Sequence, residues 1–216
     1  MFADRAEAGR RLAETLQGMT FKRPVVLALP RGGVPVAAKV AEALDAPLGL
    51  ILVRKIGVPG HEELAAGAVA EGADPVFNPE VLNQIGMKAE DFEGKVTEKR
   101  REIAERRQRY LGGAKDPDLR GATAIVVDDG IATGATVRAA LSALRDRGAD
   151  RVVLAVPVAP REARQDFGAA ADKIVILQEP IDFYAVGAHY QVFPQTADSE
   201  VKDLIAAARA RSGDSG

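Results

Sequence analysis

The sequence predicts an α/β fold, a doubly wound and mainly parallel sheet with helices on both faces. Three observations carry that expectation. Short runs dominated by aliphatic and β-branched residues recur at residues 25–29, 48–53, 125–127, 151–156 and 173–177, as suits strands buried on both faces. Between them lie segments with apolar residues at helical spacing, and alternation of this kind calls for parallel strands with crossover helices. Three of the strand ends run into turns of glycine or charge: Pro30-Arg31-Gly32-Gly33, Arg54-Lys55 and Asp128-Asp129-Gly130. Ligands of such sheets bind beyond the carboxyl ends of the strands, so three strand ends converge on one region.

Taken in order, residues 5–16 place Ala6, Gly9, Leu12, Ala13 and Leu16 on one helix face and are expected to pack only. The first buried strand, 25–29, leads through Arg31-Gly32-Gly33 into a helix with Ala37, Val40, Ala41 and Leu44 inward. The second core strand, 48–53, runs into residues 54–63, where two cations followed by Gly57, Pro59 and Gly60 predict a mobile loop over an anionic ligand. Residues 66–70 and 75–78 are expected to form the antiparallel hairpin that carries it, and His61 reads as a solvated loop residue. Residues 87–111 predict one long helix, with Phe92, Val96, Ile103, Arg107 and Tyr110 toward one side. Its Lys and Arg pairs are balanced by Glu93, Glu98, Glu102 and Glu105, which describes a solvated face. A basic wall beside a phosphate site, or a subunit contact, stays open. Residues 181–193 concentrate aromatics that suit either a wall over a ligand or a small satellite core. The tail at 200–208 is amphipathic, and residues 211–216 are expected to fray.

At 216 residues and 47% hydrophobic composition the chain can bury a full core, and one domain is the expectation. A net charge of -2 gives no electrostatic reason to expect nucleic acid or a membrane as partner. Cysteine is absent, which removes disulfides, thiolate metal sites and thiol nucleophiles. With no signal peptide pattern and no apolar run of spanning length, a cytoplasmic location is expected. Neither a Gly-x-x-x-x-Gly-Lys phosphate loop nor a Gly-x-Gly-x-x-Gly turn occurs, and two lone histidines do not make a zinc site.

Residues 122–136 carry the most specific chemistry. A buried run, Ile125-Val126-Val127, ends in the paired carboxylates Asp128 and Asp129, followed by Gly130, Ala132, Thr133, Gly134, Ala135 and Thr136 and then a helix with Val137, Ala140, Leu141 and Leu144 inward. Free N–H groups at a helix start make an anion site that glycines let a phosphate approach, and the threonines add hydroxyl donors. Carboxylates beside it can accept hydrogen bonds from sugar hydroxyls. Together they describe a sugar phosphate.

Val126 to Thr136 resembles the signature of type I phosphoribosyltransferases, which bind 5-phosphoribosyl-1-pyrophosphate (PRPP). The resemblance implies a Rossmann-like core over 25–177, with hood and packing elements from 1–24 and 178–211. It implies that Asp128 and Asp129 hold the ribose hydroxyls and reach Mg²⁺ indirectly, through PRPP and water. The turn Gly130, Ala132, Thr133, Gly134, Ala135 and Thr136 would cradle the 5-phosphate, and Gly32 and Gly33 would meet pyrophosphate. Arg31, Arg54 and Lys55 are the implied catalytic cations, and Tyr184 and Tyr190 the candidate platform for a base. The implied activity is a Mg²⁺-dependent transfer of ribose 5-phosphate to a nucleobase-like acceptor, as in nucleotide salvage, with a homodimer left open. Gly130 stands where the family usually has an aliphatic residue, and Ala132 where its 6-oxopurine branch usually has an acid. Arg54-Lys55 leans toward the adenine branch and Arg31-Gly32-Gly33 toward the xanthine-guanine branch, so the acceptor stays unassigned. A PRPP-binding regulator without transferase activity is the alternative.

Overall fold

The computed structural model describes residues 1–212. Its centre is a five-stranded parallel sheet in the order β2-β1-β6-β7-β8, formed by β1 (Pro24–Ala28), β2 (Leu48–Leu50), β6 (Thr123–Val127), β7 (Arg151–Val158) and β8 (Lys173–Gln178). Every residue of β6 is buried, as its unbroken apolar run requires of a central strand. Successive side chains point to opposite faces, and this alternation divides the core in two. On one face Val26, Ala28, Ile125, Val127 and Val153 pack with helices α1 (Arg5–Gln17), α2 (Gly33–Ala43) and α7 (Asp198–Ser212). On the other, Leu27, Val126, Leu154 and Val156 pack with α5 (Ala135–Asp146) and α6 (Ala163–Phe167). Asp4 caps α1, its carboxylate accepting from Glu7 N–H at 2.7 Å.

A second sheet, antiparallel in the order β3-β4-β5, is built from β3 (Val53–Val58), β4 (His61–Ala70) and β5 (Val76–Phe77). Two expectations change here. The second core strand stops at Leu50, and Val53 already belongs to β3, because the chain leaves the parallel sheet between them. The segment 54–63, expected as a mobile loop, is a β-hairpin joined at Pro59-Gly60, with Val58 paired to His61. Gly60 has φ +79°, the backbone a Pro-Gly turn requires at its second central position. The glycine and proline thus mark one tight turn, while Ile56 and Val58 are buried strand residues. The hairpin expected of 66–70 with 75–78 is present, Gly67 pairing with Phe77.

After α3 (Pro79–Ile85), the expected single helix over 87–111 is a 3-10 turn (Ala89–Phe92) followed by α4 (Glu93–Leu111). Asp91 accepts from Lys88 N–H at 2.8 Å and holds that turn. Val96, Ile103 and Tyr110 are buried as expected, while Arg107 is engaged by Glu71 at 3.2 Å and Asp116 at 3.0 Å. At the opposite edge, residues 186–189 form a 3-10 turn and the following strap runs beside the amino terminus, Gln191 N–H donating to Phe2 C=O at 2.8 Å. Phe2, Tyr190 and Phe193 make a third small core there. Arg211 lies within α7, and residues 213–216, the remainder of the stretch expected to fray, are outside the described residues.

The two cores meet at β6, so truncation there should be costly. Ile125→Ala is expected to lower stability by about 2–5 kcal/mol, the range for emptying a packed aliphatic site. Urea denaturation measures it, and a loss well below that range would show that the sheet centre collapses around the cavity.

Candidate active site

The strand order reverses between β1 and β6, and the site forms at their tips. Ala28 is level with Val127, and Leu29 N–H donates to Val127 C=O at 3.0 Å. Beyond that point the turn Pro30-Arg31-Gly32-Gly33, with a cis Pro30–Arg31 peptide, and the acidic pair run against each other. A Cβ on Gly32 would overlap Asp129 Oδ2, and one on Gly33 would stand 2.7 Å from Val127 O and 2.9 Å from Asp128 Cα. Glycine is required here by close approach.

Asp129 is held at both ends. Its Oδ2 accepts from Arg5 Nε at 2.8 Å, and its backbone carbonyl accepts from the Tyr190 hydroxyl at 2.6 Å. Asp128 Oδ1 accepts from Asp129 N–H at 2.9 Å. Burial raises the pKa of Asp128 well above the usual carboxylate range, and the adjacent Asp129 raises it further. Burial also raises Asp129, with Arg5 opposing the shift. Burial, and then the Asp129 charge, push the Tyr190 hydroxyl upward.

The turn after the acids leaves Ala132 and Thr133 exposed and Ala135 and Thr136 partly so. Gly134, at φ +73°, caps α5, and a side chain there would overlap the Phe167 ring. The unpaired N–H groups of the first turn of α5 therefore open onto this loop. Gly130 is enclosed, since a Cβ would lie 2.6 Å from Val186 and 2.9 Å from Val158.

The three cations sit differently. Lys55 shares with Thr133, Ala135, Phe77 and Arg138 a cleft of about 560 Å³ between the hairpin sheet and α5. Arg54 turns toward α4, where its Nε donates to Glu102 at 3.1 Å, and burial lowers its pKa from the ordinary value. Arg31 lies 3.6 Å from Asp198 at the start of α7, an acid also bound by Tyr110 at 2.7 Å and Arg109 at 3.1 Å. The structure thus gathers Gly32, Gly33, Asp128, Asp129 and Gly130, and places Lys55 in one cleft with Thr133 and Ala135. It directs Arg31 and Arg54 to acids on flanking helices.

Of the two tyrosines, Tyr184 is 88% exposed, whereas Tyr190 is 5% exposed. Tyr190 packs against Phe2 and Phe193, at ring centroid distances of 5.4 and 4.9 Å, so it presents no open face to a base. Arg5, expected only to begin a packing helix, is the residue that sequence reasoning missed. Its signal was slight, a cation at the head of a helix where acids are favoured.

Among the described residues no three or more His, Cys, Asp or Glu side chains are grouped to hold a metal ion. The acidic pair offers the hard oxygen donors that Mg²⁺ takes, but one carboxylate is already bound to Arg5. This donor set suits an ion that brings most of its ligands with a diphosphate and water.

The family model described as "Phosphoribosyl transferase domain" matches residues 3–191. The chain belongs to that family. It is 45% identical over 201 residues to the Mycobacterium tuberculosis (strain H37Rv) protein named "Putative phosphoribosyl transferase Rv0571c", covering 93% of this chain and 45% of that protein. The chain therefore spans about half the length of this curated relative. The crystal structure of TT1426 from Thermus thermophilus is 42% identical, with a TM-score of 0.83 over 95% of this chain and 98% of that one. The AQ2163 protein of Aquifex aeolicus shares the fold at 13% identity, with a TM-score of 0.51 over 94% of this chain and 85% of that one. The parallel core with its small antiparallel sheet is thus a phosphoribosyl transferase fold.

The raised pKa of Asp128 gives a signed stability prediction. A carboxyl that binds its proton more tightly folded than unfolded contributes stability that is complete below the unfolded value, about pH 3.9, and is lost as pH rises through the folded value. Asp128→Asn keeps the Oδ1 acceptor and abolishes the titration. The variant should therefore melt above wild type at neutral pH, with the difference shrinking toward pH 4. Equal melting temperatures from pH 4 to 8 would show that Asp128 titrates as an ordinary surface acid.

Proposed function

We propose that this phosphoribosyl transferase moves the ribose 5-phosphate of PRPP onto a nitrogen heterocycle and releases pyrophosphate. The observation that supports this best is the acidic pair packed on the diglycine turn, beside the loop whose Gly134 caps α5, where the strand order of the parallel sheet reverses. Asp128 and Asp129 accept hydrogen bonds from the ribose 2- and 3-hydroxyls. Backbone N–H groups of residues 132–136, with the Thr133 and Thr136 hydroxyls, hold the 5-phosphate. Pyrophosphate lies along Gly32 and Gly33, where the missing side chains leave backbone access.

The acceptor nitrogen forms a bond to C1 as the C1–oxygen bond breaks, and the bonding pair leaves on pyrophosphate. Negative charge grows on the leaving group, so preorganised cations there lower the barrier. Lys55 faces the cleft beside Thr133 and Ala135, and Arg31 and Arg54 join it only by releasing Asp198 and Glu102. Mg²⁺, when bound, would neutralise diphosphate charge, and Asp128 and Asp129 would help hold it indirectly. Tyr184, open to solvent, remains the candidate platform for a nucleobase-like acceptor.

Calorimetry with PRPP at millimolar Mg²⁺ tests the binding half. Asp129→Ala should weaken affinity on the order of tenfold to a hundredfold, as loss of a hydrogen bond to a charged group does. No binding by wild type would remove the reading. A panel of purines, pyrimidines and pyridine carboxylates, assayed for PRPP-dependent pyrophosphate release, tests transfer. At least one should stimulate release above hydrolysis, and Lys55→Ala should lower kcat more than it weakens PRPP binding. Tight PRPP binding with no stimulation across the panel would favour the regulator, a reading consistent with Arg31 and Arg54 being paired to Asp198 and Glu102.

A further inference from the structure

Arg5 and Asp129 lie 124 positions apart in sequence, yet their side chains are only 11% and 14% exposed and meet at 2.8 Å. The guanidinium is constrained on three sides. Nε donates to Asp129 Oδ2, Nη1 donates to Pro194 C=O at 2.6 Å, and the flat face lies 3.7 Å from the centroid of the Phe193 ring. A surface arginine fluctuates among partners, whereas a planar fork that is stacked and bonded in this way holds one orientation.

Asp129 is correspondingly fixed. Its Oδ2 rests on Gly32, its carbonyl takes the Tyr190 hydroxyl, and the Tyr190 ring packs on Phe2 and Phe193. The charged and titratable groups around it are Arg5 from α1, Asp128 from its own strand end and Tyr190 from the strap, since Arg31 on the facing turn is directed to Asp198. Segments near the two ends of the described chain thus clamp the same residue.

We infer that Arg5 is a positioning residue of the ribose subsite: it fixes the Asp129 carboxylate so that the other oxygen, Oδ1, is presented to a sugar hydroxyl. This rests on the PRPP reading above. Arg5 acts through Asp129 and touches neither the leaving group nor the acceptor. A carboxylate already held in its bound orientation loses less freedom when the ligand arrives, which strengthens binding without a new contact.

The test is calorimetry of PRPP with Mg²⁺ on the full chain, comparing wild type with Arg5→Met, Arg5→Lys, Asp129→Asn and the Arg5→Met/Asp129→Asn double variant. Arg5→Met should weaken binding by about tenfold or more, the loss expected when a charge-assisted hydrogen bond disappears. Arg5→Lys should recover part of it, because the ammonium restores charge without the fork. In the Asp129→Asn background, Arg5→Met should cost little further affinity. In turnover, the Arg5→Met effect should fall on KM for PRPP and leave kcat nearly unchanged, a split that simple loss of folded protein would not produce. If Arg5→Met fails to fold, Arg5→Lys alone decides, by showing weaker PRPP binding at an unchanged melting temperature. Wild-type affinity in Arg5→Met, or losses that add fully in the double variant, would overturn the positioning role alone. Absence of PRPP binding by wild type would overturn the functional reading and this inference together.

Discussion

The close contact between the acidic pair and the diglycine turn is the constraint on which the rest of the site depends. Asp129 can sit over Gly32, and Asp128 over Gly33, only because neither position carries a Cβ. That contact in turn needs β1 and β6 in one register, Ala28 level with Val127. Two separate cores, one on each face of the sheet, hold this register by burying alternate residues of the same strands. Fully burying one such aliphatic side chain is worth about 1.5–3 kcal/mol. The strand tips are therefore positioned by the interior, and the turns that form the candidate site extend beyond them.

A second pattern is charge balance. Three charged groups of the site are each held by an opposite charge from a flanking helix: Asp129 by Arg5 of α1, Arg31 by Asp198 of α7, and Arg54 by Glu102 of α4. An ion left alone in a partly desolvated crevice is costly, and such pairing offsets the cost. On the proposed reading, a polyanionic ligand would take Arg31 and Arg54 from existing partners, and only Lys55 would meet it directly from the cleft. Its net electrostatic gain is the difference between two sets of pairs. Selectivity on that reading would come from geometry, because any anion could meet the cations but only one with correctly placed hydroxyls would also engage the carboxylates.

Much of this was legible in the sequence, for identifiable reasons. Unbroken runs such as Ile125-Val126-Val127 announce buried parallel strands, and carboxylates or glycines at their ends announce where ligands bind. Long-range pairing was not legible. Nothing near Arg5 points to Asp129, and nothing near Arg54 points to Glu102, because the folded topology makes these contacts. Tyr190 looked like a stacking platform because aromatics are clustered there, but it lies inside the small core formed with Phe2. The hairpin was hidden by its own turn, since Gly57, Pro59 and Gly60 read as loop residues while Gly67 and the alanines of β4 carry little strand propensity.

Gly130 has a wider consequence. The strap after β8 comes so near that Val186 stands 2.6 Å from the place a Cβ would take, and this occurs directly after the acidic pair. The missing methyl group therefore lets Val186 and Val158 of β7 both close against this turn. A homologous chain with an aliphatic residue at this position must set back both the segment at 186 and the side chain at 158. Position 130 and position 186 should accordingly change together, with a small residue at one allowing a branched residue at the other.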